Sequence, residues 1–285
     1  MKISRIIKFM REACGMSQEE FASKVGVERL AVTRWENEKV LPNKLAQMRL
    51  YEVAKEMDID VIEFITKSLP PYRNNNGVLT LYHGSKSGID GDIRPISRNK
   101  CDFGAGFYMG TDVHQPLTLV CTQVEPALYV VDFDTRGLKI VEIPTDIDWA
   151  MTVAFYRGRL ENIKGTALYN KYSSMLLGTD VVVGSIADDR MYFVLDRFFD
   201  SAISDKGLVE SLSALQLGTQ YVALSEKACK QIKLVEKHTL SELEKLCLNQ
   251  LSEQNRQYGI DTANEICKTY RRDGKFFDEI LSEAE

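Results

Sequence analysis

The residues able to do chemistry fall in a few short stretches. His83 and Ser85 stand at the end of an apolar run that begins at Val78, and about 20 residues later Gly104 and Gly106 lead into Tyr108. An imidazole at a strand end is either a half-buried packing group or a hydrogen-bonding one. Tyr108 is either a core aromatic or a face on which another ring can stack. The glycines fit a hairpin turn, which leaves the His-Gly-Ser segment unexplained. Asp188 and Asp189, with Arg190, follow the run Val-Val-Val-Gly-Ser, where a carboxylate can meet a ligand or cap the next helix. Arg157 and Arg159 can hold a phosphate or answer the negative end of a helix dipole. Six cysteines, Cys14, Cys101, Cys121, Cys229, Cys247 and Cys267, lie far apart with no Cys-x-x-Cys and no histidine at zinc-ligand spacing. They read as reduced core residues of a cytosolic protein, with no metal site and nothing nearby to lower a thiol pKa.

The elements that must position these residues divide into two parts. Ile3, Ile6, Ile7 and Met10 repeat at helical spacing up to Gly15; Ser17 and Glu20 form a capping box for a second helix with Phe21, Ala22 and Val25 on its apolar face. Gly26 turns the chain into a third helix, about 28–36, carrying Leu30, Val32 and Trp35. Leu45, Met48, Leu50, Val53, Ala54 and Met57 supply a fourth that covers the core. Residues 68–77, Ser-Leu-Pro-Pro-Tyr-Arg-Asn-Asn-Asn-Gly, read as a linker. Beyond it, strands are expected at 78–83, 128–133, 180–185 and 220–224, and helices at 147–159, 189–199, 207–215 and 226–232, an α+β mixture. In the first of these helices Trp149, Val153 and Tyr156 form a core face. Thr239 and Glu242 read as a capping box opening a tail with Leu240, Leu243, Cys247 and Leu251 on one face, then short helices near 262–270 and 275–282.

A length of 285 residues, 44% of them apolar, suits two cores, since single domains usually hold roughly 100–200 residues. The start of the chain mixes Lys2, Arg5, Lys8 and Arg11 with Ile6, Ile7 and Phe9, an amphipathic helix rather than a signal peptide. No apolar run approaches the roughly 18 residues of a spanning helix, so no membrane partner is expected. A net charge of −5 excludes a protein that coats nucleic acid with its whole surface, while Arg29, Arg34, Lys39, Lys44 and Arg49 make one local basic cluster.

Gln18, Ala22, Gly26 and the Val32, Trp35, Glu36 pattern resemble the helix-turn-helix of the phage repressor and Cro family over about residues 1–66. The resemblance implies a recognition helix in the major groove, with Gln18, Glu28, Arg29, Ala31, Thr33 and Arg34 toward DNA and Val32 and Trp35 inside. One such module makes few contacts, so a homodimer on a two-fold site is expected.

Leu-Tyr-His-Gly-Ser at 81–85 and Gly-Ala-Gly-Phe-Tyr-Met-Gly-Thr-Asp at 104–112 resemble the first two signatures of the His-Tyr-Glu branch of ADP-ribosyltransferases. They are also similar to a bacterial domain family of unknown function grouped with those enzymes; the likeness covers about residues 78–236. It implies a split β-sheet that bends and clamps NAD and stabilises an oxocarbenium-like state as the nicotinamide bond breaks. His83 then bonds the adenosine ribose with help from Ser85, the Gly84 backbone reaches the nicotinamide amide, Tyr108 stacks on the leaving ring, and Gly104 and Gly106 give the tight backbone that presents it. The third signature is a strand glutamate, and Gln220 holds that position here. Glutamine bonds a hydroxyl but brings no charge. Glu226, Asp188 or Asp189 are carboxylates that could substitute. The resemblance also implies a second stacking tyrosine after Tyr108, where Pro116, Leu117 and Leu119 stand instead.

The expected architecture is an all-α helix-turn-helix domain over 1–67, a linker over 68–77, an α+β domain with an ADP-ribosyltransferase-like split sheet over 78–236 and a helical tail over 237–285. The expected function is a cytoplasmic DNA-binding protein that transfers ADP-ribose from NAD, its substrate, to an unidentified macromolecular acceptor, or hydrolyses NAD. Such a pairing fits toxin-antitoxin or phage-defence systems by analogy. The alternative is a transcription regulator whose larger domain binds NAD or a related nucleotide without turnover.

Overall fold

The computed structural model describes residues 2–97, 100–186, 189–215, 218–271 and 273–283. Ile6, Ile7 and Met10 line the buried side of α1 (Ile3–Ala13). Ser17 accepts from the Glu20 amide while the Glu20 carboxylate accepts from the Ser17 amide, the predicted capping box of α2 (Gln18–Val25). Gly26, at φ 79°, turns the chain toward α3 (Arg29–Glu36), whose Val32 and Trp35 face inward. Asn43 caps α4 (Lys44–Glu56) and Asp60 caps α5 (Val61–Ser68), a helix not anticipated from the sequence.

Four residues expected in this core are not in it. Leu30, Leu45, Met48 and Met57 are 53, 66, 46 and 39% exposed. The stripe α4 buries is Ala46, Leu50, Val53 and Ala54; Leu45 and Met48 lie on its flanks, and Met57 lies past the helix end.

The span expected as a linker carries a strand, β1 (Arg73–Asn75), which pairs antiparallel with β2 (Val78–Ser85) across Asn76 and Gly77, both at positive φ. The remaining strands are β3 (Phe107–Gly110), β4 (Ala127–Asp134), β5 (Ile140–Glu142), β6 (Val181–Ser185), β7 (Thr219–Ala223) and β8 (Ile232–Thr239). They form a mixed sheet in the order β5-β6-β7-β3-β2-β4-β8, with β1 beside β2; among the described residues only β5 and β6 pair in parallel.

Strand alternation sends Leu79, Leu81, Phe107, Met109, Val181 and Val183 to one face. On the other, Val182 and Val222 pack beneath α7 (Ile147–Tyr156), α9 (Asp189–Phe199) and α10 (Asp205–Ala214). There Trp149 and Val153 are wholly buried, as the helical spacing predicts, while Tyr156 is half-buried. Shorter helices, α6 (His114–Val120), α8 (Ala167–Ser174) and α11 (Glu226–Cys229), complete this part. The helix expected over 226–232 stops at Cys229, and β8 follows and runs past 236.

The tail differs from expectation. The capping box is Ser241 with Glu244, and the helix it opens, α12 (Glu242–Thr269), is continuous for 28 residues; α13 (Phe277–Ser282) follows. One end of α12 packs against α4 and α5, the other against α9 and α10. The helical core at the start of the chain also takes in Tyr82, Leu117, Val120, Leu128, Val130, Leu243 and Leu248. The two parts therefore share this apolar cluster, while two further clusters, one on each face of the sheet, contain no residue of the helices at the start of the chain. No helix of the described residues is long and apolar enough to cross a membrane.

Candidate functional site

The sheet opens where the two motifs meet. β2 pairs with β4 over its whole length, but with β3 only at Tyr82 and Gly110. Past that point the strands separate, and the His83 ring reaches across: its Nδ1 lies 2.7 Å from the Tyr108 carbonyl oxygen. A carbonyl accepts only, so Nδ1 carries the proton and Nε2 is an acceptor in the neutral ring. Burial pushes the His83 pKa below its ordinary value, only partly offset by this bond. The ring stacks on Phe107 with centroids 4.1 Å apart.

Between the strands lies a cleft of about 670 Å³, within the roughly 300–1,000 Å³ usual for small-molecule sites. His83, Gly84, Gly106, Tyr108 and Gln220 all line it. Ser85 does not: its hydroxyl donates to the Gly88 carbonyl. Asp188 lies outside the described residues, and Glu226 lies away from the cleft at the start of α11.

Tyr108 lines the cleft, and its hydroxyl is engaged elsewhere. The hydroxyl donates to the Gly104 carbonyl at 2.7 Å and accepts from the Phe103 amide at 3.1 Å, clasping the loop that leads into β3, and desolvation raises its pKa. Two glycines are needed for close approach. A Cβ on Gly106 would lie 2.5 Å from Val222 Cγ1, and one on Gly84 would lie 2.7 Å from the Pro116 carbonyl oxygen of α6. Gly104 sits at φ 78°. Pro116 and Leu119 line the cleft in the stretch where the transferase resemblance implies a second aromatic.

Several lining residues gave no sequence signal. Lys86 and Lys100 are exposed cations of the 86–103 loop, and Gln115 comes from α6. Asp102 is buried and ion-paired to Arg157, Nη2 to Oδ1, at 2.6 Å. Arg157 is thus engaged by a carboxylate, and Arg159 pairs with Asp196 and Asp200. Among the described residues no cluster of histidine, cysteine and carboxylate suits a metal ion. Burial pushes the thiol of Cys247 up to about 12 and that of Cys229 up to about 11.

In the helical part, Gln18 ties α2 to α3: its Oε1 accepts from the Thr33 hydroxyl at 2.8 Å and its Nε2 donates to Glu36 at 2.7 Å. Arg11 donates to the same Glu36 carboxylate at 2.7 Å, joining α1. Gln18 and Thr33 therefore spend their polar groups on holding the pair of helices. Glu28, Arg29 and Arg34 are exposed along α3, neither arginine having an ion pair among the described residues, while Ala31 is half-buried against the core.

A tri-helical clasp with an exposed basic helix, continued by a mixed sheet with a cleft, defines a helix-turn-helix protein with an appended α+β domain. Residues 7–64 match the helix-turn-helix family, which supports DNA binding by this part. Residues 79–234, more than half of the chain, match the family described as protein of unknown function (DUF3990), and the chain belongs to that family. No curated protein and no solved structure matches it.

Proposed function

We propose that this is a DNA-binding protein whose larger domain binds NAD in the cleft between β2 and β3 and cleaves it, transferring ADP-ribose to a macromolecular acceptor or to water. The observation that carries this is the gathering of His83, Gly84, Gly106, Tyr108 and Gln220 around one opening in the sheet. The chemistry of the lining fits the substrate. The His83 Nε2 is an acceptor for a ribose hydroxyl, the Tyr108 face suits an aromatic ring, and Lys86 and Lys100 at the rim suit a pyrophosphate. The divergence of β2 from β3 after a single pair is the kind of opening that a split transferase sheet requires.

In the reaction, the bond between ribose C1′ and the nicotinamide nitrogen breaks, and its electron pair leaves with neutral nicotinamide. The oxygen of an acceptor hydroxyl or of water bonds to C1′ and releases its proton to solvent. This chain's residues hold the dinucleotide bent and the leaving ring stacked while charge develops on the sugar. The helix-turn-helix brings this activity to DNA, as a homodimer on a two-fold site.

Gln220 favours a second reading, in which the domain senses NAD without turnover, because an amide there supplies no charge. Incubating the full chain with NAD and following nicotinamide release, beside a His83→Ala variant, decides between them. Release abolished by the substitution supports cleavage; binding without release supports the sensor; neither binding nor release removes NAD from the account.

A further inference from the structure

Gln220 has a neighbour that alters its meaning. Asp102 is 7% exposed, and its Oδ2 lies 3.4 Å from the Gln220 amide nitrogen, while its Oδ1 accepts from Arg157. A carboxylate this buried needs a paired cation to stay charged, and Arg157 provides one. Of that ion pair only Asp102 lines the cleft, so a bound molecule meets the negative member.

The surroundings of Gln220 call for an amide. Its Nε2 donates to the Ser185 carbonyl at 2.9 Å as well as facing Asp102, and the Trp149 indole donates to the same carbonyl at 3.1 Å. A glutamate at this place would turn an oxygen toward two acceptors. The amide orientation is fixed by those acceptors, and its Oε1 takes no hydrogen bond from the described residues.

We propose that Asp102 is the anionic group of the cleft, facing the positive charge that develops on the ribose as the nicotinamide bond breaks, with Gln220 and Arg157 as its positioning partners. This rests on the NAD reading and deepens it: the charge missing at position 220 sits one hydrogen bond away, on a different segment. The glutamine is then the complement of the aspartate and not a degenerate glutamate.

The test uses the full chain with NAD and reads kcat from nicotinamide release and Kd from calorimetry. Asp102→Asn is expected to lower kcat by about a hundredfold or more while Kd stays within about threefold, the split expected of a group that acts only as charge develops. Gln220→Glu, which sets two carboxylates together, is expected to release no more nicotinamide than the wild type. In the double variant Asp102→Asn, Gln220→Glu the charge and the amide exchange places, and kcat is expected to rise at least about tenfold over Asp102→Asn. An active wild type with an Asp102→Asn variant of unchanged kcat overturns the proposal and leaves NAD cleavage standing. A Gln220→Glu variant faster than wild type overturns it as well, and decides alone should Asp102→Asn not fold. A wild type that releases no nicotinamide overturns the NAD cleavage reading and this proposal with it.

Discussion

The His83 imidazole stands in for a missing rung of the sheet: its Nδ1 donates to the Tyr108 carbonyl at 2.7 Å, one step beyond the single pair that joins β2 to β3. The same residue therefore ties the two strands together where they part and lines the cleft between them. Because burial disfavours its charged form, its folded pKa lies below the value of about 6.5 it has in the unfolded chain.

A pH dependence of definite sign follows. Below about pH 6.5 the unfolded chain takes up a proton at this histidine before the folded one does, so stability falls as the pH drops. The contribution of His83 is complete above that value and is lost as the pH approaches the depressed folded pKa. Between pH 7.5 and 5, the urea midpoint of the wild type should fall more than that of His83→Gln. Parallel slopes for the two proteins contradict the assignment.

Glycine substitutions separate close approach from mere flexibility. Gly106→Ala and Gly84→Ala each force a methyl against a neighbour nearer than 3 Å, the second against the backbone of α6. Each is expected to cost roughly 1–3 kcal/mol. Gly207, within α10, is the control. A Cβ there meets nothing closer than 3.6 Å, so Gly207→Ala is expected to stabilise by about 0.4–1 kcal/mol. Denaturant midpoints of the three variants check the contrast, and equal shifts for all of them refute it.

Removing one member of the ion pair beside the cleft should be expensive. Arg157→Ala leaves the buried Asp102 carboxylate without its cation, and a loss of about 3–5 kcal/mol is expected. A loss below about 1 kcal/mol by urea unfolding means that Asp102 is not held as a charge in the folded protein.

On the helical part, the hydrogen bonds divide the DNA candidates into two groups. Arg29→Ala and Arg34→Ala should weaken binding to the chain's own upstream region in a mobility shift. For whichever arginine meets a phosphate, the slope of log affinity against log salt should fall by about 1. Gln18→Ala, which cuts the link from α2 to Thr33 and Glu36, should lower thermal stability as well. Unaltered binding by both arginine variants refutes the role given to α3.

How much of this could be read from the sequence depended on whether the signal was local. The capping box at Ser17 and the turn at Gly26 depend on neighbours in the chain, and they came through. The strands after Val78 and Asp180 declared themselves by apolar runs. The hairpin at Asn76 and Gly77 carried a usable signal, two residues suited to positive φ, which the surrounding polar composition masked. Asp102 carried none: its partners, Arg157 and Gln220, stand 55 and 118 positions on, and only the fold brings them together. α12 runs without a break through Gly259, a residue of poor helix propensity that is buried within it. The residues that the transferase resemblance singles out, His83, Gly84, Gly106, Tyr108 and Gln220, all line one cleft, while the Ser85 hydroxyl donates to the Gly88 carbonyl.

The shared core makes a last prediction about cooperativity. Val120 of α6, Leu243 and Leu248 of α12 and Val130 of β4 pack with Ile6, Phe21 and Leu50, so the helix-turn-helix has no apolar core closed off from the sheet. The two tryptophans report on the two parts, Trp35 on α3 and Trp149 on α7. In a Trp149→Phe variant the Trp35 fluorescence should change with urea at the same midpoint as the far-ultraviolet circular dichroism, and the Trp35→Phe variant should behave likewise with Trp149. Leu243→Ala, at a wholly buried site between the parts, should shift both signals together, by about 2–5 kcal/mol. If Trp35 reports unfolding while the dichroism of the sheet persists, the helices at the start of the chain are an independent domain. Any effect of the cleft on DNA binding would then have to travel without α12.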